Sequence, residues 1–278
     1  MEKCVGSYFY KNHQLMPASS FEQQLTDISN CIYEVIRVIN GIPLFWEQHM
    51  HRLNKSIAPK LLSCDFSSSD IMKPFKELAT VNNIANGNIK LLIKSSSGHA
   101  LNQWDLFLYF IPHQYPKTRD YKEGVKAILF RAERANPNIK ATNVDLRSVI
   151  AEQLELRFAY EALLVDPMGM ITEGSRSNIF WVKDQRLYTA PNNRILPGIT
   201  REAIVQICME KNYPLIETEV SLNQLPQMDA VFLTGTSPKV LPVRIIEDQV
   251  FESASHPLVQ DIMKAYDKMI DNYLKHFR

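Results

Sequence analysis

Glycine is scarce in this sequence, with nine in 278 residues. Each one therefore marks a place where the backbone needs a conformation or a close approach that other residues do not supply. The glycine-rich phosphate loops are missing: there is no GxxxxGK run ending in Ser or Thr, and no GxGxxG. HExxH and GxSxG are missing too, which excludes the common nucleotide, dinucleotide, zinc-protease and hydrolase signals. Cys4, Cys31, Cys64 and Cys208 lie far apart with no CxxC pair, so neither a zinc site nor a disulfide framework is expected, and reduced thiols are the default. No apolar run approaches the roughly eighteen residues of a membrane span, and MEKCVGSYFYKNHQL lacks the apolar core of a signal peptide. The expected location is the cytoplasm. Charge of neither sign dominates, with 31 Lys plus Arg against 30 Asp plus Glu and a net charge of +1. Nothing in that balance selects nucleic acid or an anionic membrane as a partner.

What is present is the inventory of a folded globule, 45% hydrophobic and 22% charged, long enough for two domains. Residues 8–10 read as a short strand, and 31–39 (CIYEVIRVI) as a longer one. Asn40-Gly41 then gives a strong hairpin signal, with 42–46 as the return strand. Helices are predicted over EQHMHRLNKS and 69–78, and strands over 89–94 and 104–111. PHQYPKTRDYKEG has no apolar periodicity and reads as a linker, so the expected division is an N-terminal α+β domain at 1–115, a linker at 116–124 and a C-terminal domain at 125–278. The second domain should open with a strand at 125–130 and a helix over 145–161, whose apolar stripe is Leu146, Val149, Ile150, Leu154 and Phe158. Strands at 162–165, 170–172, 178–183 and 186–189, a helix at 200–210, strands at 215–220, 230–233 and 243–246, and a closing helix at 257–276 complete the prediction.

Several weak chemical signals lie along this frame. His49 and His51 are two apart, so on a helix they do not share a face as metal ligands, and one surface and one packed histidine is the plainer reading. ILPGITREA, 195–203, brings Pro197-Gly198 to Thr200, a good N-cap, at a helix start that can receive an anion. TGTSPK, 234–239, sets hydroxyls on both sides of Gly235 after a strand. Lys140 in NPNIKATN and Glu173 in ITEGSRSNIF are charged residues set among small or amide neighbours. Each alone reads as well as an ordinary cap, turn, loop lysine or strand-end glutamate.

Together they resemble the fold-type IV pyridoxal-phosphate enzymes, the family of branched-chain aminotransferases, D-amino-acid aminotransferases and aminodeoxychorismate lyase. The matching segments are YEVIRVINGIPLFWEQHMHRL, IKATN, ITEGSRSNIFWVKDQRLYTAPNNRILPGITREAI and TGTSPKVLPV, in family order and spacing. The resemblance implies an α+β, two-domain fold-type IV (D-amino-acid aminotransferase-like) fold, a homodimer, and pyridoxal 5′-phosphate lying between the domains. It implies that Lys140 is the catalytic lysine, which carries the cofactor and moves the substrate's Cα proton, and that Glu173 faces the pyridine nitrogen. It assigns the phosphate to Arg52, Ile199, Thr200 and Thr236, packs Leu196 against the ring, and makes Tyr33 a substrate contact. For Leu196 and Tyr33, burial in a plain core is the competing reading.

The sequence also departs from the family. The branched-chain enzymes' tyrosine five positions after the lysine is Asp145 here, and the DxGxxYGDGVFE lead-in has become SFEQQLTDISNCIYE. The arginine for the substrate carboxylate and the RxH pair of the D-amino-acid enzymes are missing, since LLIKSSSGHALNQW, just after Lys90, offers only Lys94 and His99. Lys90, Lys94, Arg37 and Arg176 are the candidate replacements. The implied function is amino transfer from an amino acid to a 2-keto acid, with an apolar, branched-chain substrate favoured by the apolar strand around Tyr33. Two alternatives share the chain: aminodeoxychorismate lyase, releasing pyruvate, and a non-catalytic relic that binds the cofactor.

Overall fold

The computed structural model describes residues 2–12, 14–28, 31–58, 67–95, 104–134, 137–142 and 144–277. Cys64, His99 and Asn143 lie outside them. The chain divides into two compact units, one of residues 1–114, 139–144 and 272–278, the other of 115–138 and 145–271. The short segment carrying Lys140 thus belongs to the first unit.

In the first unit, β1 (Val5–Lys11), β2 (Gln14–Pro17), β3 (Ile32–Ile39), β4 (Ile42–Pro43), β5 (Gly87–Ser95) and β6 (Trp104–Ile111) form one sheet in the order β2-β1-β6-β5-β3-β4. A single turn, α1 (Phe21–Gln24), precedes β3. Period-two alternation gives the sheet two different faces. Ile32, Ile36, Ile89, Leu91, Ile93 and Leu108 face α2 (Trp46–Ile57) and α3 (Ser68–Val81), whose Met50, Leu53, Phe75 and Leu78 complete that core. On the opposite face Tyr33, Leu92, Phe107 and Tyr109 pack with Phe9, Phe21 and Cys31. The predicted hairpin forms: Asn40 and Gly41 both have positive φ, 52° and 76°, the signature of a type I′ turn. Its return strand is shorter than expected, because Phe45 adopts φ 54° and turns the chain into α2.

The second unit holds α4 (Thr118–Glu123), β7 (Val125–Arg131), α5 (Val144–Leu156), β8 (Glu161–Val165), β9 (Met170–Gly174), β10 (Asn178–Lys183), β11 (Arg186–Thr189), α6 (Ile199–Glu210), β12 (Leu215–Glu217), β13 (Val220–Ser221), β14 (Ala230–Gly235), β15 (Lys239–Ile246) and β16 (Gln249–Val250). Its sheet runs β12-β11-β10-β14-β15-β7-β8-β9-β13, with β16 on β15. Ile179, Trp181, Val231, Leu233, Leu241 and Val243 build its main core, and Ile150 and Leu154 of α5 cover Ile128, Ala162 and Leu164. The closing helix α7 (Pro257–His276) matches its predicted span.

Three expectations are corrected here. The segment read as linker contains α4, started by the Asp120 carboxylate accepting the Lys117 N–H at 2.7 Å. The helix predicted to reach residue 161 ends at Leu156: Phe158 takes φ 49°, the Ala159 N–H returns to the Leu154 carbonyl, and Glu161 already belongs to β8. Phe158, placed in the apolar stripe, is 91% exposed. The strand predicted over 215–220 is split into β12 and β13, which pair with different partners, β11 and β9. No described helix is long and apolar enough to cross a membrane.

Candidate active site

Lys140 is fixed by its own backbone. Its carbonyl accepts the Tyr33 N–H at 3.0 Å, Ala141 bridges antiparallel to Ile32, and the Thr142 N–H reaches the Cys31 carbonyl at 3.0 Å. Thr142 Oγ1 accepts the Cys31 N–H at 3.1 Å and donates to the Ile28 carbonyl. This short antiparallel dock puts the lysine at the start of β3, with Nζ 4.9 Å from the centre of the Tyr33 ring. A cation over an aromatic face is favourable, and the ring gives Lys140 a defined neighbour rather than bulk water.

On the opposite face of β3 lies Glu34, fully buried, with both oxygens engaged. Arg52 of α2 donates Nε to Oε1 at 2.8 Å and Nη2 to Oε2 at 2.6 Å, and His49 Nδ1 lies 2.7 Å from Oε2. Burial alone would raise the Glu34 carboxyl, but the Arg52 guanidinium with its two hydrogen bonds, helped by His49, pulls it down to about 2. Burial holds the His49 imidazole below its ordinary value, against the opposing pull of Glu34. His49 is packed and His51 exposed, one turn position apart in role as the sequence suggested, and no described group of His, Cys, Asp and Glu could hold a metal.

The second unit gathers Glu173, Leu196, Ile199 and Thr200, all buried. Glu173, on β9, pairs through Oε1 with Arg134 Nε at 2.8 Å and accepts the Leu196 N–H on Oε2 at 3.2 Å. Asn178 of β10 donates Nδ2–H to the Leu196 carbonyl at 2.8 Å, so two strands hold one loop. That loop leads into α6. Its cap is Gly198, not Thr200 as expected, because a Cβ at 198 would lie 2.1 Å from Asn178 Oδ1. Thr200 is the second helical residue, its hydroxyl 3.3 Å from Tyr266 Oη. Thr236 sits half-buried in the turn between β14 and β15, where Gly235 pairs with Lys239.

The structure therefore groups Tyr33 and Lys140 in one unit, places Arg52 in the same unit, and groups Glu173, Leu196, Ile199 and Thr200 in the other. Sequence reasoning missed Glu34, His49 as its partner, Arg134, Asn178 and Tyr109. Glu34 left one signal, a charge in register with Ile32 and Ile36 on the apolar side of β3. Arg134 left none, since it precedes an irregular loop.

One unit thus sets a lysine beside an aromatic ring, and the other sets a buried carboxylate, paired with an arginine, against the loop that leads to a glycine-capped helix start. The chain matches the class IV amino-transferase family over residues 31–246 and belongs to that family. It is 31% identical over 272 residues to the D-alanine aminotransferase of Bacillus licheniformis, covering 93% of this chain and 95% of that one. Its fold is shared with a branched-chain amino acid aminotransferase of T.th. solved with pyridoxamine 5′-phosphate, at 20% identity and TM-score 0.84 over 97% of this chain and 96% of that one. It is shared also with a Legionella pneumophila protein provisionally named 4-amino-4-deoxychorismate lyase, at 23% identity and TM-score 0.78 over 88% and 92% of the chains. The α+β fold-type IV architecture and the aminotransferase class are thus those of this protein.

Enzymes of this family work with pyridoxal 5′-phosphate, and the residues present fit it. A carboxylate paired with Arg134 is the acceptor that a protonated pyridine nitrogen calls for. The Gly198 cap lets the α6 start sit close against Asn178, and the first N–H groups of a helix can receive a phosphate.

Proposed function

We propose that this protein is a pyridoxal-phosphate transaminase that moves the amino group of an amino acid with a small or branched apolar side chain to a 2-keto acid, with Lys140 as the catalytic residue. The observation that carries this reading is the docking of residues 140–142 on the start of β3, which fixes Lys140 against Tyr33. Bound here, the cofactor supplies an aldehyde for the amino group and a ring that accepts electron density from the substrate's Cα.

Lys140 would hold the cofactor through Nζ and would serve as the base that moves the proton of the substrate's Cα. Glu173 would face the ring nitrogen and favour its protonated form, and Arg134 pairs with Glu173 and holds it in place. Arg52, the Ile199 and Thr200 N–H groups, the Thr200 hydroxyl and Thr236 receive the phosphate, combining a guanidinium with a helix dipole. Glu34 fixes the plane of the Arg52 guanidinium. Leu196 packs on the ring, and Tyr33 contacts the substrate. A homodimer located in the cytoplasm belongs to the same reading, its assembly state checked by sedimentation.

The names of the relatives supply the donors to test. The loaded enzyme should convert L-leucine or an alanine enantiomer, with 2-oxoglutarate, to the corresponding keto acid and glutamate, and the favoured enantiomer identifies the branch of the family. Pyruvate release from aminodeoxychorismate without any keto acid, and no transfer from any donor, would replace this reading by the lyase.

A further inference from the structure

Lys90 is a charged residue on an apolar face, 3% exposed. Its register partners are Val35 on β3 and Tyr109 on β6, and its near neighbours on that face are Tyr33, Leu92 and Phe107. Lysine is seldom buried unless paired. Its partner is Glu2, just ahead of β1: Lys90 Nζ lies 2.5 Å from Glu2 Oε1, and the Tyr109 hydroxyl donates to Glu2 Oε2 at 3.1 Å. One ammonium and one phenol thus grip the two oxygens of a single carboxylate. Burial and the Glu2 charge push the Tyr109 phenol well above its usual value, so it remains a donor throughout the working pH range.

The location gives this grip its meaning. Lys90 Nζ lies 4.8 Å from the centre of the Tyr33 ring, and Lys140 Nζ lies 4.9 Å from the same centre. The two ammonium groups therefore share the Tyr33 ring as a neighbour. Glu2 lies just ahead of β1 with a side chain 18% exposed, while the groups that hold it are interior.

The geometry points to Lys90 and Tyr109 as the subsite for a substrate carboxylate, with Glu2 as its built-in occupant, displaced when an amino acid or keto acid binds. This rests on the transaminase reading for its substrate, and it names a residue for the carboxylate whose usual arginine this chain lacks. A tethered competitor acts at an effective concentration near the millimolar range, so it weakens the apparent affinity of every carboxylate that must replace it. Removing the competitor's charge must then tighten binding, which no stabilising ion pair would do.

The test is calorimetric titration of hexanoate, an unreactive carboxylate, into the cofactor-loaded protein and its variants. Glu2→Gln should lower the hexanoate Kd about three- to tenfold, and Lys90→Met in the Glu2→Gln background should raise it about tenfold or more, as loss of a charge-assisted contact does. Lys90→Arg should restore most of the affinity, and the same variants should shift the KM for pyruvate while kcat changes less. A Glu2→Gln protein that stays folded and binds hexanoate as weakly as the parent, or more weakly, overturns the proposal, and this outcome is decisive even if Lys90→Met does not fold. Borohydride fixation of the cofactor on Lys140 is scored separately in each sample. Its failure would count against the transaminase reading, whereas the heat of hexanoate binding reads the subsite by itself.

Discussion

Glu34 is tolerated on the apolar side of β3 because Arg52 and His49 meet its oxygens, and the price of removing its charge falls on Arg52. Breaking a buried pair from one side costs about 3–5 kcal/mol, since the other charge is left uncompensated. Glu34→Gln should therefore lower the unfolding free energy by that order and weaken cofactor retention, as read by equilibrium urea denaturation and by dialysis of the loaded enzyme. The pH dependence has a definite sign. The folded carboxyl titrates at about 2, below its unfolded value of roughly 4.3, so its contribution to stability is complete above the unfolded value and disappears as pH falls through the folded one. Unfolding midpoints measured from pH 5 to pH 2 should decline, and decline less steeply in Glu34→Gln. Glu173 makes the complementary prediction for catalysis. Glu173→Gln, at saturating cofactor, should cut turnover about a hundredfold or more, the order found when a preorganised charge is removed from a reacting centre. A kcat near the parent's would remove Glu173 from the mechanism.

At the scale of elements, the type I′ turn between β3 and β4 sets the register that brings α2, and with it Arg52, against Glu34. Gly41 holds φ 76° with nothing within 4 Å of an added Cβ, so a side chain there pays for backbone conformation alone. Gly41→Ala should cost about 1–2 kcal/mol in urea denaturation without altering the loaded enzyme's kcat. That turn was legible in the sequence because Asn-Gly carries its own local cause, and so was α7, whose amphipathic period runs its whole length. The end of α5 was not legible: apolar spacing continues to Phe158, and only the left-handed turn at that residue stops it. α4 was invisible for the opposite reason, since its burial is slight and a capping contact, not an apolar stripe, starts it. The same division holds in the candidate site. Lys140, Glu173 and the PGITR helix start were weak signals singly and were picked out by their resemblance to the family's order and spacing, while Arg134, Asn178 and the Arg52–Glu34 pair are made by contacts across separate elements.

For the whole molecule, the two units carry the candidate site residues on elements held for separate reasons, one docked segment against β3 and one loop pinned by β9 and β10. A ligand bound only by the folded chain stabilises it by mass action, by about 2.7 kcal/mol at a hundred times its Kd. Pyridoxal 5′-phosphate at that excess should raise the thermal midpoint in differential scanning calorimetry, and Lys140→Ala should retain only part of the rise, because the phosphate and ring contacts survive without the covalent link. The central claim is tested most directly by loading the protein with pyridoxal 5′-phosphate, reducing it with borohydride and mapping the modified peptide by mass spectrometry. One phosphopyridoxyl group per chain on Nζ of Lys140 is the predicted result; a label absent from Lys140, or scattered over surface lysines, would contradict the account.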